Sequence, residues 1–446
     1  MAALPLCLVP ACAGHADPIV PGDMTMVMEQ TSDLIVVTQW PNTSGTSGGF
    51  ASFNQEVSAV SSYRGVVPEF QPKGIDLDGF RLYPTMAANA SYDDNVDRVH
   101  AGQKGDFLFT EAPGFQLLAG DELRVIDIFA DAGFTQYAKL TSENTTDYNV
   151  GAVGYYSLSH ATTLTAQVSY NGLHDPRSEA DTNTSQAAPT KYNLFLADAD
   201  ATFKPNRLGI RLGGSVNRFS YMDAPLTGGG FIDNRDRDHS LYKGFAEISY
   251  DFSPGYAAFV RATYDADDFA LALDRSGIHR SSSGYQLDGG MDLLLSRLIQ
   301  GEFYAGYLHQ SYSLPLKSIS DFDYGARLTW YPTEFLTVKL NASRQIDETT
   351  FDFTSGGDDR SLALSVDWGV TYRLSLKANA AYDDTNYIGS LPARDDRTAS
   401  AGLSAKYLIS PYVTVQIGYQ YSARTSTIEL ASFDDNTVTV GANLQI

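Results

Sequence analysis

From about residue 80 to Ile446 the chain alternates apolar and polar residues in runs of roughly ten, and each run ends in a turn. Val413, Val415, Ile417, Tyr419 and Tyr421 alternate with Thr414, Gln416, Gly418 and Gln420. Val438, Val440, Ala442, Leu444 and Ile446 alternate in the same way with Thr437, Thr439, Gly441, Asn443 and Gln445. A period of two puts one set on each face of a strand. A tilted strand needs about 9–11 residues to cross a bilayer, and an apolar outer face over a polar inner face marks a transmembrane barrel. The pattern predicts an all-β chain, a transmembrane antiparallel up-and-down β-barrel.

Alternation and turn residues together place strands at 80–92, 106–118, 122–137, 145–158, 161–171, 190–203, 206–220, 240–252 and 255–266. Nine more follow at 282–296, 298–310, 321–332, 335–346, 360–373, 374–384, 397–409, 411–422 and 435–446. That makes about eighteen strands, or sixteen if one hairpin is misread. Short turns (Ala119-Gly120-Asp121, Pro205-Asn206, Ser253-Pro254-Gly255, Ser296-Arg297, Pro332-Thr333-Glu334, Ser410-Pro411) alternate with long loops such as 174–189, 222–239, 267–283 and 347–360. Bacterial barrels have short periplasmic turns and longer external loops. An even strand number then leaves both barrel ends on the periplasmic side. A strand edge inside lipid has no water to satisfy it, so the first strand must pair with the last.

Residues 1–16 read as a signal peptide: Leu4, Leu6, Leu8, Val9 and Ala11 form a short apolar core before Ala13-Gly14-His15-Ala16. The leader lacks Lys and Arg, and it holds both cysteines, Cys7 and Cys12, so its removal would leave no thiol. Residues 17–74 read as a periplasmic or lumen-threading arm, with a flexible Thr43–Gly49 stretch. Within the arm, Asp33-Leu34-Ile35-Val36-Val37-Thr38 resembles the energy-coupling box of TonB-dependent transporters, but too few residues follow it to build a plug domain. The barrel is assigned to 75–446.

The composition narrows the function. The 446 residues include 27 Tyr and 23 Phe, a bias expected of aromatic girdles, and carry a formal net charge of -22. That charge argues against nucleic acid as a partner. Mean hydropathy is -0.20, and no run approaches the 18 apolar residues of a spanning helix. The histidines are scattered, with no pair at metal-ligand spacing, and no nucleophile elbow, phosphate loop or dinucleotide fingerprint occurs. The expectation is a non-enzyme without cofactor or metal, in the outer membrane of a Gram-negative bacterium. Its partners would be outer-membrane lipid and lipopolysaccharide, with the barrel-assembly machinery reading the last strand during biogenesis.

The polar half of the strands supplies candidate pore-lining residues: Arg81, Arg211, Arg261, Asp288, Asp292, Arg327, Lys339, Asp367, Lys377 and Lys406. Charged side chains at a constriction select solutes. A second pattern recurs where strands reach the outer side: Tyr92-Asp93-Asp94-Asn95, Tyr264–Asp268, Tyr382-Asp383-Asp384 and Phe433-Asp434-Asp435-Asn436. It fits girdle and turn chemistry, and its carboxylates could also bridge divalent ions to lipid headgroups.

The words Val67-Pro68-Glu69-Phe70-Gln71-Pro72-Lys73-Gly74-Ile75, Phe80-Arg81-Leu82-Tyr83-Pro84 and Tyr92-Asp93-Asp94-Asn95 resemble the opening of the outer-membrane β-barrel porin 2 family. The resemblance implies a barrel linked to exopolysaccharide clusters, hence a pore or accessory of glycan export that passes polysaccharide or small saccharides. Ile446 departs from the Phe or Trp that usually ends such chains. The competing readings are a structural or adhesive barrel plugged by its arm, and a TonB-coupled importer.

Overall fold

The computed structural model describes residues 72–446, apart from Glu122, 182–184, 295–297 and Asp352. The signal peptide, the arm as far as residue 71 with its Asp33–Thr38 box, and the Ser296-Arg297 turn lie outside the described residues. Eighteen strands form the wall. They are β1 Phe80–Asp93, β2 Asp106–Gly120, β3 Arg124–Tyr137, β4 Thr145–Ser159, β5 Thr162–His174 and β6 Lys191–Phe203. β7 Leu208–Tyr221, β8 His239–Ser253, β9 Tyr256–Phe269, β10 Ser282–Leu294, β11 Ile299–Tyr312 and β12 Ile319–Thr333 follow. β13 Leu336–Asp347, β14 Gly357–Gly369, β15 Leu374–Tyr387, β16 Arg394–Ser410, β17 Val413–Ser426 and β18 Phe433–Gln445 complete the ring. Each strand pairs antiparallel with the next in the chain. β1 pairs with β18 from Thr85↔Gln445 to Asp93↔Thr437, so the sheet closes into a ring.

The two faces differ as the alternation requires. On β2, Phe107 and Phe109 are 55 % and 53 % exposed, whereas Leu108 and Thr110 between them are 2 % and 6 % exposed. The exposed set is the lipid-facing wall and the covered set faces inward. A short strand, Ile75–Leu77, precedes β1 and pairs with it through Asp78-Gly79. Both turn residues have positive φ, 52° and 96°, the backbone that a two-residue type I′ hairpin needs and that Asp-Gly supplies.

The predicted strands coincide with the observed ones, with differences at the ends. The strand expected over 360–373 stops at Gly369, because Thr371 Oγ1 accepts the amides of Arg373 (3.2 Å) and Leu374 (3.0 Å) and turns the chain. Several outer ends run longer than their turn-like residues suggest. β15 continues to Tyr387 and β16 starts at Arg394, because Asp and Asn there extend the ladder above the girdle.

Candidate functional site: wall, mouth and seam of the barrel

The register places all ten candidate residues on the inward-facing parity, and each lies within six residues of the turn-side end of its strand. Four of them meet around one carboxylate. Arg261 donates from Nε to Glu247 (2.8 Å) and from Nη2 to Glu302 (3.1 Å), and its guanidinium lies 4.8 Å from the Phe259 ring. Across the rungs Arg261 faces Asp288, Asp292 faces Glu302, and Glu302 faces Arg327. Arg211 sits nearby and donates to Asp200 at 2.9 Å. A second group lies on β13 to β16, where Asp367 faces Lys377 and Lys339 and Lys406 occupy the same inner parity. Arg81 stands apart, opposite Leu118 on β2 and Asp76 of the leading hairpin.

Sequence reading missed Glu247, Glu302 and Asp200. Strict alternation would have found them, since Glu302 shares the even parity of Tyr304, Gly306 and Leu308 on β11. The turn-side wall is divided in charge. Acid prevails from β6 to β11, with Asp198, Asp200, Glu247, Asp288, Asp292 and Glu302, whereas β13 to β16 carry three lysines against Asp367. Opposed charged walls put a field across the path of a solute.

The outer mouth is crossed by a strap, residues 175–181 and 185–190 between β5 and β6. Asp181 accepts hydrogen bonds from Thr349 Oγ1 (2.6 Å), Thr350 N (3.0 Å) and Thr350 Oγ1 (3.2 Å), in the loop between β13 and β14. That loop is eight strands further round the ring, so the strap reaches nearly the opposite wall. Arg424 of β17 donates to Ser178 O at 2.5 Å. At its base, Asp175 holds Arg237 at 2.5 Å, and the guanidinium lies 4.0 Å from the Tyr221 ring. Arg177 meets Glu143 through Nε (2.8 Å) and Nη2 (2.6 Å). The returning limb pairs with loop 222–238, through Ala187 N to Pro225 O (2.8 Å) and Thr227 N to Ser185 O (2.9 Å).

The segment that receives the strap is itself clamped. Arg280 donates to the carbonyls of Thr349 (2.9 Å), Thr350 (3.1 Å), Phe351 (2.8 Å) and Thr354 (2.9 Å), and from Nε to Asp274 (2.6 Å). Glu348 beside it accepts from Ser282 Oγ (3.0 Å) and Tyr312 OH (3.1 Å). Burial, with Asp267 close by, pushes the Glu348 carboxyl well above the usual range.

The Tyr92–Asn95 and Phe433–Asn436 words meet at the β1/β18 seam. Asp94 accepts from Asn436 N and Asn436 Nδ2, both at 2.8 Å. Asn95, fully buried, donates from Nδ2 to Val99 O (2.9 Å) and Asp434 O (2.8 Å). Asp93, Asp94 and Asp435 bring carboxylate oxygens within 4.8 Å of one another, a spacing that could hold a divalent ion. Arg98 already pairs with two of the three, with Nη1 at 2.9 Å from Asp93 and 2.8 Å from Asp435. The other two words act differently. Asp383 accepts from Ser361 Oγ (2.7 Å), Asp384 pairs with Arg397 (3.2 Å), and Tyr264 is exposed on the outer face. The carboxylates of these words thus serve as a latch and as rung partners. His309 lies between Ser320 Oγ (2.6 Å) and Ser311 Oγ (2.9 Å) on the lipid-facing side, the neighbours that cross-strand and i, i+2 register give an outward residue.

A closed eighteen-strand ring with a lipid-facing apolar surface and a charged inner wall defines a transmembrane barrel of the outer-membrane porin type. The profile of the family described as Putative beta-barrel porin 2 matches residues 67–446, and the chain belongs to that family. Comparison with curated proteins gives no match. Among solved structures, it is similar in fold to OccAB3 of Acinetobacter baumannii, with TM-score 0.43, 11 % identity, and coverage of 83 % of this chain and 100 % of that one. OccK2 (OpdF) of Pseudomonas aeruginosa, solved with glucuronate, gives TM-score 0.43 and 10 % identity over 84 % of this chain and 100 % of that one. The siderophore receptor PirA of Acinetobacter baumannii gives TM-score 0.43 and 6 % identity over 82 % and 80 %.

Proposed function

We propose that this porin-family barrel is a conduit for hydroxyl-rich solutes across the outer membrane of a Gram-negative bacterium, and that it passes saccharides or an exported polysaccharide. The strap carries this reading. Its far end is held by one carboxylate and one carbonyl, contacts that water can replace, so the element that crosses the mouth is removable. The wall beneath it offers amides and charges of both signs, which suit hydroxyl groups. Lipopolysaccharide around the outer girdle and the barrel-assembly machinery at the last strand complete the set of proposed partners. The alternative, a non-conducting structural or adhesive barrel, draws support from the Arg280 clamp, which fixes the strap's landing site through four carbonyls.

Single-channel recording in a planar bilayer, with neutral and acidic oligosaccharides as blockers, separates the two. Steady openings interrupted by sugars support the conduit. A barrel that inserts and never conducts overturns it in favour of the structural reading.

A further inference from the structure

The ring has one incomplete seam besides its closure. β12 and β13 share seven rungs, from Gly325↔Ser343 to Thr333↔Leu336, whereas the β1/β18 seam has nine and the remaining seams have eleven or more. Among the described residues no rung joins Ile319–Tyr324 to Arg344–Asp347, although both segments remain paired on their other sides, β12 to β11 and β13 to β14. The two strands therefore part in their outer portion. The parting begins at the outer girdle, where Tyr307 faces Phe322.

A free edge needs its backbone groups satisfied, and here side chains do so. Phe322 N donates to Asp321 Oδ1 (2.8 Å) and Tyr324 N to Asp323 Oδ1 (2.9 Å). The gap is spanned by Arg344 of β13, and above it Lys317 N donates to Ser355 Oγ at 2.8 Å. Arg344 donates to Phe322 O (2.5 Å), to Asp321 (2.6 Å), and through Nε and Nη2 to Asp358 (2.6 and 2.9 Å). Paired strands lie about 4.8 Å apart and need no such bridge. A slipped register would leave amides seeking each other, whereas these already have partners on their own strand.

The geometry points to a lateral window between the lumen and the headgroup layer of the outer leaflet, bolted by Arg344. Its rim of Asp321, Asp323, Arg344 and Asp358 would admit hydrated ions and hydroxyl-rich chains and reject acyl chains. The window gives the lumen an exit beside the strapped mouth. This inference rests on the conduit reading.

The test uses full-length protein with Cys7→Ser and Cys12→Ser, its strap locked by a disulfide between Asp181→Cys and Thr350→Cys. Conductance is compared with and without Arg344→Ala. Asp358→Asn serves as a second unbolting variant, and each is first checked for the heat-modifiable gel mobility of a folded barrel. Unbolting is expected to raise the locked conductance roughly twofold or more. Adding a second disulfide across the parting, Phe322→Cys with Ile346→Cys, is expected to remove the gain. Locked barrels whose conductance is the same with and without Arg344 overturn the window. If the unlocked parent is silent as well, the conduit reading falls with it.

Discussion

At the scale of single residues, the informative positions are charged groups near the outer mouth whose partners are fixed. Glu348 keeps its proton to a higher pH than a free glutamate, whose pKa is about 4.3. Its native state binds the proton more tightly than its unfolded state. Its contribution to stability is therefore complete below the ordinary glutamate range and is lost as pH rises through the raised value. Thermal unfolding followed by gel mobility is expected to fall with rising pH in the parent protein. In Glu348→Gln, whose amide oxygen can still accept from Ser282 and Tyr312, the profile should be flatter. Arg98 gives a complementary case. Without it, Asp93, Asp94 and Asp435 become an uncompensated cluster with calcium-like spacing. Arg98→Ala is expected to unfold at lower temperature and to be rescued by millimolar calcium, with no calcium effect on the parent. A variant that calcium leaves unchanged would show that the cluster cannot close around an ion. The two acidic words and the pairing of the first strand with the last were legible in the sequence, but the role of Arg98 was not, because it lies 337 residues from Asp435 and alternation says nothing of contacts between loops.

At the scale of elements, the strands were legible and the loops were not. A period of two survives in each wall strand because lipid on one side and the lumen on the other sort every residue. The alternation alone therefore assigns Val415, Ile417 and Tyr419 on β17 to the lipid face. The parting of β12 from β13 left no such trace, since Asp321 and Asp323 read as ordinary polar positions next to a turn. The strap likewise reads as a long polar loop, and its role follows from where Asp181 lands. Asp181→Ala removes charge-assisted hydrogen bonds worth about 1.5–3 kcal/mol, which amounts to a population shift of roughly tenfold or more. Single-channel traces are expected to show a matching rise in open probability, and hydrogen exchange at Thr349–Phe351 should quicken. An unaltered trace would mean that the strap is held by its base alone.

At the scale of the whole molecule, a formal charge of -22 and the acid-lined wall from β6 to β11 set the expected ion preference. The pore should favour potassium over chloride at low salt. The preference should fade toward molar salt, because the screening length falls from about 10 Å at 0.1 M to about 3 Å at 1 M. Reversal potentials under a salt gradient measure this directly, and anion preference would mean that Lys339, Lys377 and Lys406 govern the narrowest section. The ring itself has eighteen seams, and in chain order seventeen of them join strands that a covalent connection already holds together. The β1/β18 seam has none, and there Asp94, Asn95 and Asn436 stand in for the missing peptide link. A circular permutant with new termini at another turn and a short peptide joining the old ends would thus make the Asp94–Asn436 pair dispensable. In the native chain order, the same pair rivets the one seam that no covalent connection spans.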